Sequence, residues 1–212
     1  MHEENTSERL VHGYVLAGGG STRFGRDKAL VEMDATPMLL RMRTLLLEIT
    51  KEVNVIAPPE KYAALGITGI GDRWAGQGPL AGIITALLTT QEASSEAQWN
   101  LIVGCDMPFL TREWLAYLVV RAQASSAEVV APQSAQGLEP LCACWRTTAA
   151  GKLQTSFDEG VRKITHAMKR LQMEVLDEAD WKRFDARGRL FWNMNTAADY
   201  DEAKRIMEAQ RA

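Results

Sequence analysis

Short apolar runs that end at turn residues alternate along this chain with longer segments whose apolar residues recur at helical spacing. A short apolar run bounded by turn residues is typical of a buried strand, whereas apolar residues three and four apart are typical of one helix face. The apolar runs predict strands over 13–17, 52–57, 66–72, 99–104, 127–132, 140–145 and 173–176, of which 66–72 is the weakest. The periodic segments predict helices over 37–50, 79–90, 111–124, 147–157, 160–170 and 196–209.

Strands and helices alternate over most of the length, which is the pattern of a largely parallel sheet with helices on both faces. We therefore expect a three-layer α/β/α, Rossmann-like fold with a mostly parallel central sheet. A chain of 212 residues suits one domain. We place that domain over 13–212 and expect the polar, acidic residues 1–12 to form a flexible tail.

Composition and charge narrow the classes of protein that this chain can represent. Hydrophobic residues make up 46% and charged residues 24%, as in ordinary globular proteins, and the net charge of −3 argues against a nucleic-acid-binding protein. No apolar run is long enough for a membrane helix, and the polar N-terminus lacks the apolar core of a secretory signal. The three cysteines follow no disulfide spacing, so we expect reduced thiols and a cytoplasmic location.

The first chemistry-bearing segment is LAGGGSTRFGRDK at 16–28, directly after the first predicted strand. In a doubly wound sheet, ligands bind beyond the carboxyl ends of the strands, where this segment lies. Glycines such as Gly18 and Gly19 let backbone N–H groups approach phosphate oxygens, and Arg23 and Lys28 add positive charge. We expect a nucleoside triphosphate to bind here, and a glycine-rich turn without a ligand is the alternative.

Two better-known phosphate-binding loops do not fit this segment. A dinucleotide fingerprint needs its third glycine where Arg23 stands. A Walker A loop needs lysine and then serine or threonine directly after Gly25, where Arg26 and Asp27 follow instead.

Asp106 follows the apolar strand predicted over 99–104. A carboxylate at the end of such a strand is well placed to hold a hard cation, and Mg²⁺ commonly takes one or two carboxylates together with phosphate oxygens and water. We expect Asp106 to bind Mg²⁺ beside the triphosphate. A helix-capping or loop-forming role ahead of Thr111 is the alternative.

A second carboxylate, Asp72, precedes the glycine-laced loop 74–78 and the helix that begins at Pro79. The N-terminus of that helix offers free N–H groups, and Asp72 offers an acceptor to a base or a ribose. The alternative is a structural loop with a solvated aspartate.

Four further polar residues have two interpretations each. Arg162 and Lys163 suit either an acceptor phosphate or the solvated face of a helix. Asn193 and Asn195 suit either a heteroaromatic acceptor and a metal-bound water, or a cap on the last helix together with Thr196.

In this order, the segments resemble the molybdenum cofactor guanylyltransferases, which belong to the nucleotide-diphospho-sugar-transferase-like group of Rossmann-type folds. The resemblance covers nearly the whole chain, from about Gly13 to the last helix. It is carried by Leu-Ala-Gly-Gly at 16–19, Ser-x-Arg-Phe-Gly at 21–25, Asp-Lys-Ala-Leu at 27–30, Gly-Pro-Leu-Ala-Gly at 78–82, Cys-Asp-Met-Pro at 105–108, Gly-x-Glu-Pro-Leu at 137–141 and Asn-x-Asn-Thr at 193–196.

The resemblance implies a reaction in which GTP and molybdopterin, usually already carrying molybdenum, give the guanine dinucleotide form and pyrophosphate. It implies Mg²⁺ as the cofactor, held by Asp106, and contacts with other cofactor-biosynthesis proteins or acceptor enzymes. The positions that correspond to the family's GTP-binding residues are Leu16, Ala17, Gly18, Lys28, Asp72 and Asp106. With Gly19 in the phosphate loop, catalysis is then expected to depend on Arg23, Lys28 and Asp106.

The chain departs from the family pattern at two places. Phe24 stands where methionine is frequent, and Ala57-Pro-Pro59 replaces an asparagine that binds nucleotide in some members, so that contact is not carried over. Leu-Ala-Gly-Gly resembles the guanine-selective branch, whereas cytidine-using relatives tend towards Leu-Ala-Ala-Gly. The alternatives are a CTP-dependent molybdopterin cytidylyltransferase, a sugar-phosphate nucleotidyltransferase, and a catalytically silent nucleotide- or cofactor-binding paralogue.

Overall fold

The computed structural model describes residues 11–18, 27–93 and 97–209. The strands are β1 (Val11–Leu16), β2 (Glu32–Met33), β3 (Thr36–Pro37), β4 (Glu52–Ile56), β5 (Trp99–Gly104), β6 (Val129–Ser134), β7 (Gly137–Leu138), β8 (Cys142–Arg146) and β9 (Met173–Leu176). The α-helices are α1 (Met38–Leu47), α2 (Pro79–Glu92), α3 (Arg112–Ala124), α4 (Ala150–Asp158), α5 (Ile164–Ala167), α6 (Glu178–Trp181) and α7 (Ala197–Ala209). Short 3-10 helices cover Lys28–Leu30, Ala63–Leu65, Thr147–Ala149 and Met168–Arg170.

The central sheet has seven strands in the order β4-β1-β5-β8-β6-β7, with β9 also paired to β6. The pairs β1–β4, β1–β5 and β6–β9 are parallel, whereas β8 runs antiparallel to both β5 and β6. Five of the seven strands, namely β4, β1, β5, β6 and β9, therefore point the same way, which confirms the mostly parallel sheet. β2 and β3 form a separate two-stranded antiparallel unit.

Helices cover both faces of this sheet, as the alternation of elements predicted. Side chains from α1, α3 and α7 form one hydrophobic core with one face of the strands. Side chains from α2, α4 and α5 form a second core with the opposite face. Along β1, Val11 and Val15 belong to the first core and Tyr14 to the second, so the strand is buried on both sides.

Two predicted elements are wrong. The segment 66–72 is no strand, because Ile70 alone bridges to β4, and the Gly69 N–H donates to the Pro59 carbonyl at 3.0 Å and not to a strand. The helix predicted over 160–170 is reduced to α5 and a 3-10 turn. Gly160 has φ of +90°, which ends α4, and Lys163 is extended, so Arg162 and Lys163 lie before a helix and not on one.

Most other elements agree with the prediction within a few residues. β5 and β9 have the predicted bounds, and the Thr111 side chain caps α3 by accepting from Trp114 N at 3.3 Å. α6 was not predicted; it carries a capping box between Asp177 and Asp180. In the described part of the chain, every helix is too short or too polar to cross a bilayer.

Candidate active site

A cavity of about 340 Å³ opens at the carboxyl ends of β1, β4 and β5. This is the edge of a doubly wound sheet at which ligands bind. Its wall includes Gly18, Lys28, Asp72, Gly78, Asp106 and Leu141.

The structure brings together most of the site residues that the sequence predicted. Six of them line the one cavity: Leu16, Ala17, Gly18, Lys28, Asp72 and Asp106. Gly19 and Arg23 lie outside the described residues. The separation in sequence is large, since Lys28 and Asp106 are 78 residues apart, so only the sheet topology unites them.

Lys28 is the centre of the polar wall. Its Nζ donates to Asp106 Oδ2 at 3.2 Å and to Asn195 Oδ1 at 2.9 Å. The side chains of Lys28 and Asp106 are only 16% and 21% exposed, so this ion pair is shielded from bulk water. The Asn195 side chain does not cap the last helix, which was one of its two interpretations, because its amide oxygen accepts from Lys28.

Asp106 is held by close packing at the end of β5. A Cβ added at Gly104 would lie 2.8 Å from Asp106 Oδ1, so a side chain there would displace the carboxylate. The Met194 N–H donates to the Asp106 carbonyl at 2.9 Å, which joins this turn to the segment before α7. Asp106 does not cap α3, since Thr111 does so.

The same cavity has a second wall at the start of α2. Asp72 Oδ1 accepts from the Trp74 N–H at 3.0 Å and from Thr85 Oγ1 at 3.0 Å. These bonds fix the loop 74–78 against the helix, and Gly78 and Pro79 at the helix start line the cavity. Asp72 is thus a structural anchor whose carboxylate also borders the cavity.

The other predicted polar residues lie elsewhere. The Arg162 guanidinium lies 3.9 Å from the centre of the Phe157 ring and donates to Gln77 Oε1 at 3.1 Å. The Asn193 amide donates to the Phe191 carbonyl at 3.1 Å. Neither Arg162, Lys163 nor Asn193 lines the cavity described above.

Asp27 was missed by the sequence analysis and also lines the cavity. Its Oδ1 accepts from Ala29 N at 3.0 Å and so caps the 3-10 helix that begins with Lys28. Tyr62 and Lys61 contact the same carboxylate. In the sequence, only the Asp-Lys pair at 27–28 pointed to this group of residues, because Lys61 and Tyr62 belong to no recognisable motif.

Glu139 is a buried carboxyl close to this site. It is 8% exposed and accepts from Ser134 Oγ at 2.6 Å. Burial raises the pKa of Glu139 above its ordinary value of 4.5, and the nearby Asp106 charge raises it further, against the lowering effect of the Ser134 bond. The carboxyl therefore holds its proton to higher pH than a solvated glutamate.

The donor set fits one hard divalent ion. Asp106 Oδ2 and Asn195 Oδ1 converge on the positively charged Lys28 Nζ, so two oxygen donors already face a cation in this corner. Within the described ranges, no group of three or more His, Cys, Asp or Glu side chains forms a metal cluster. One carboxylate with an amide oxygen, completed by phosphate oxygens and water, is a donor set of the kind that Mg²⁺ takes.

The chain has relatives among known proteins. Residues 13–173 match the family described as the MobA-like NTP transferase domain. A probable molybdenum cofactor guanylyltransferase from Pelotomaculum thermopropionicum is 30% identical over 200 residues, which cover 94% of each chain.

Solved structures of relatives have the same architecture. The molybdopterin-guanine dinucleotide biosynthesis protein A from Archaeoglobus fulgidus matches with a TM-score of 0.77 and 25% identity, over 93% of this chain and 99% of its own. A protein from Mycobacterium tuberculosis solved with manganese matches with a TM-score of 0.63 and 15% identity, over 92% of this chain and 98% of its own. These neighbours confirm the Rossmann-like nucleotidyltransferase fold.

Proposed function

The chain belongs to the MobA-like NTP transferase family, and we propose that it transfers GMP from GTP to molybdopterin and releases pyrophosphate. The observation that supports this most directly is the convergence of Gly18, Lys28 and Asp106 on one cavity. A backbone cradle, a cation and a metal-binding carboxylate are the three parts that transfer of a nucleotidyl group requires.

We assign the polyphosphate to the wall formed by Gly18 and Lys28. The Lys28 ammonium is a mobile charge for phosphate oxygens, and the backbone amides of the glycine-rich segment add neutral donors. We extend this role to Gly19 and Arg23 from the sequence pattern. Because Lys28 lines the same cavity as Gly18 and Asp106, it can stabilise the pyrophosphate as it leaves.

We assign Mg²⁺ to Asp106 with Asn195. When bound, the ion supplies charge neutralisation on the phosphate oxygens that surround the α-phosphorus. Asp106 contributes by holding its carboxylate at a fixed point of the cavity, since Gly104 and Met194 pack against that turn.

The bond changes in the proposed reaction balance without a strong base. An oxygen of the terminal phosphate monoester of molybdopterin forms a bond to the α-phosphorus of GTP, and the bond from that phosphorus to the bridging oxygen of pyrophosphate breaks. A phosphate dianion is already a nucleophile, so the chain has to position and stabilise charge and need not remove a proton. Asp72, at the start of α2, offers an acceptor to the base or ribose.

A nucleotide panel followed by a transfer assay tests the function. We expect GTP with Mg²⁺ to raise the melting temperature more than CTP, ATP or UTP, and added molybdopterin to release one pyrophosphate per GTP consumed. Preference for CTP would identify a cytidylyltransferase. GTP binding with no pyrophosphate release in the presence of molybdopterin would identify a silent binding paralogue.

Partners beyond the two substrates follow from the family alone. Contacts with other cofactor-biosynthesis proteins or with acceptor enzymes, and a cytoplasmic location, stay predictions. Co-purification with tagged protein from cells grown with molybdate is the measurement that checks the first of these.

A further inference from the structure

Tyr62 is a buried tyrosine whose hydroxyl contacts the residues next to Gly18 and Lys28, which form the wall assigned to polyphosphate. Its side chain is 1% exposed and packs in the core that contains α1 and α3. The hydroxyl donates to the Ala17 carbonyl at 2.9 Å and lies 3.0 Å from Asp27 Oδ2. Ala17 directly follows β1, and Asp27 directly precedes the 3-10 helix that begins at Lys28. The Tyr62 side chain therefore connects the residues on either side of the glycine-rich sequence.

The Tyr62 hydroxyl bridges Ala17 and Asp27. A phenol has one proton, and both the Ala17 carbonyl and the Asp27 carboxylate are acceptors, so the O–H is shared between them. Burial and the Asp27 charge raise the pKa of Tyr62 well above its ordinary range, so the hydroxyl keeps that proton. Lys61 Nζ, 2.8 Å from Asp27 Oδ2, neutralises the carboxylate that the phenol alone would satisfy only in part.

Asp27 passes this restraint on to Lys28. Its second oxygen, Oδ1, accepts from Ala29 N at 3.0 Å and fixes the first turn of the 3-10 helix. Lys28 is the first residue of that turn, and its Nζ reaches Asp106. A continuous path of contacts therefore runs from Tyr62 in the core through Asp27 to Lys28 in the cavity wall.

We propose that Tyr62 is a positioning residue for the reaction, which sets the separation of Ala17 and Asp27 and thereby the place of Lys28 in the cavity wall. Tyr62 does not touch the cavity itself, so it acts through Asp27 and Lys28. The proposal rests on the proposed function, because it takes a polyphosphate as the ligand of this wall.

The Tyr62→Phe variant removes the hydroxyl and keeps the buried ring. We expect the Kd for GTP–Mg²⁺ and for pyrophosphate–Mg²⁺ to rise about three- to tenfold, the range that one net hydrogen bond represents. The KM for molybdopterin is expected to stay unchanged. Isothermal titration measures both affinities, and pyrophosphate tests the wall without regard to the base.

Tyr14→Phe is the matched control. Tyr14 is equally buried, and its hydroxyl bonds to Thr90 Oγ1 at 2.7 Å, away from the cavity. It loses a comparable hydrogen bond, so it reports how much of any change comes from general destabilisation. Equal effects of Tyr14→Phe and Tyr62→Phe on pyrophosphate affinity, or none from Tyr62→Phe, would overturn the proposal.

A double-mutant cycle tests the route of action. If Tyr62 acts through Lys28, then adding Tyr62→Phe to Lys28→Met should change pyrophosphate affinity by less than about twofold. Full additivity of the two effects contradicts the route. Should Tyr62→Phe fold poorly, Asp27→Ala removes the acceptor at the other end of the bridge and carries the same expectation.

These arms also separate the positioning role from the function. A wild-type chain that binds pyrophosphate and CTP but not GTP would refute the guanylyltransferase assignment, while the effect of Tyr62→Phe on pyrophosphate would still decide the role of Tyr62. A wild-type chain that binds no polyphosphate would refute both.

Discussion

Lys28 Nζ and Asp106 Oδ2 lie 3.2 Å apart, so the cation assigned to the triphosphate and the carboxylate assigned to the metal form one ion pair. In the proposed reaction we expect each to exchange this partner when substrate binds, because the phosphates would draw Lys28 and the divalent ion would bind Asp106. Metal binding and nucleotide binding are therefore expected to be coupled, since either one frees the partner that the other needs.

Replacing Lys28 separates the two ligands. Lys28→Met removes the charge that occupies Asp106, so we expect tighter binding of Mn²⁺ to the nucleotide-free chain, measured by electron paramagnetic resonance. GTP binding should weaken about tenfold to a hundredfold, as loss of one hydrogen bond to a charged group predicts. Lys152→Met, which breaks a surface pair with Glu128, is the control. Unchanged affinity for both ligands would remove Lys28 from the site.

Asp106→Asn tests the metal assignment. The amide keeps the shape of the side chain, and the bond from Met194 N goes to the backbone carbonyl, so the fold should survive. We expect turnover to fall about a hundredfold or more and the Mg²⁺ concentration for half-maximal rate to rise, because the anionic ligand is lost. Normal turnover with the wild-type Mg²⁺ dependence would show that the metal binds elsewhere.

Asp72 is expected to serve both the loop and the nucleotide. Asp72→Ala leaves Trp74 N and Thr85 Oγ1 without their acceptor, which should cost about 1–3 kcal/mol of unfolding free energy and weaken GTP binding about tenfold. Thr85→Val loosens the loop and retains the carboxylate, so its effect on the Kd for GTP should be smaller. Equal effects of the two variants on that Kd would limit Asp72 to the structural role.

Glu139 should make folding less stable as the pH rises. Its folded pKa lies above the ordinary 4.5, so the stabilisation by the protonated form is complete below 4.5 and is lost as the pH rises through the folded value. Glu139→Gln retains an acceptor for Ser134 and does not titrate. We therefore expect its melting temperature to gain on the wild type between pH 4.5 and pH 8.

The size of that effect is measurable by calorimetry, since about 1 kcal/mol moves the melting temperature of a chain of this size by about 2–4 °C. Glu208→Gln removes the same charge at an exposed position on α7 and is the control. If the difference in melting temperature from the wild type depended on pH in the same way for Glu139→Gln and Glu208→Gln, the prediction would be contradicted.

Burial on both faces accompanies one of the elements that the sequence predicted best, the strand β5. β5 is buried throughout, and its six residues have the predicted bounds, because a short, mainly apolar run bounded by turn residues suits a strand inside a sheet. The helix prediction over 160–170 was wrong because a turn at Gly160 interrupts the chain there. Val161 N bonds to the Ser156 carbonyl across Gly160, a local closure that apolar periodicity does not report.

The sequence predicted several residues of the cavity but not the side chains that bond to them. Gly18 and Asp106 were found because each follows a strand, and parallel strands bring such ends to one edge. Neither the hydrogen bond between Asn195 and Lys28 nor the one between Tyr62 and Asp27 was predicted, since the partners are 167 and 35 residues apart. Both bonds depend on how α7 and the segment after β4 pack.

The sequence by itself determined the three-layer fold, the edge of the sheet that carries the cavity, and the residue types available there, because strand and helix periods are local properties of the chain. The tertiary structure alone decided which of those residues meet. Hydrogen bonds such as Lys28 to Asp106 and Tyr62 to Ala17 join distant segments, and their geometry follows from side-chain packing between layers, which no local pattern encodes.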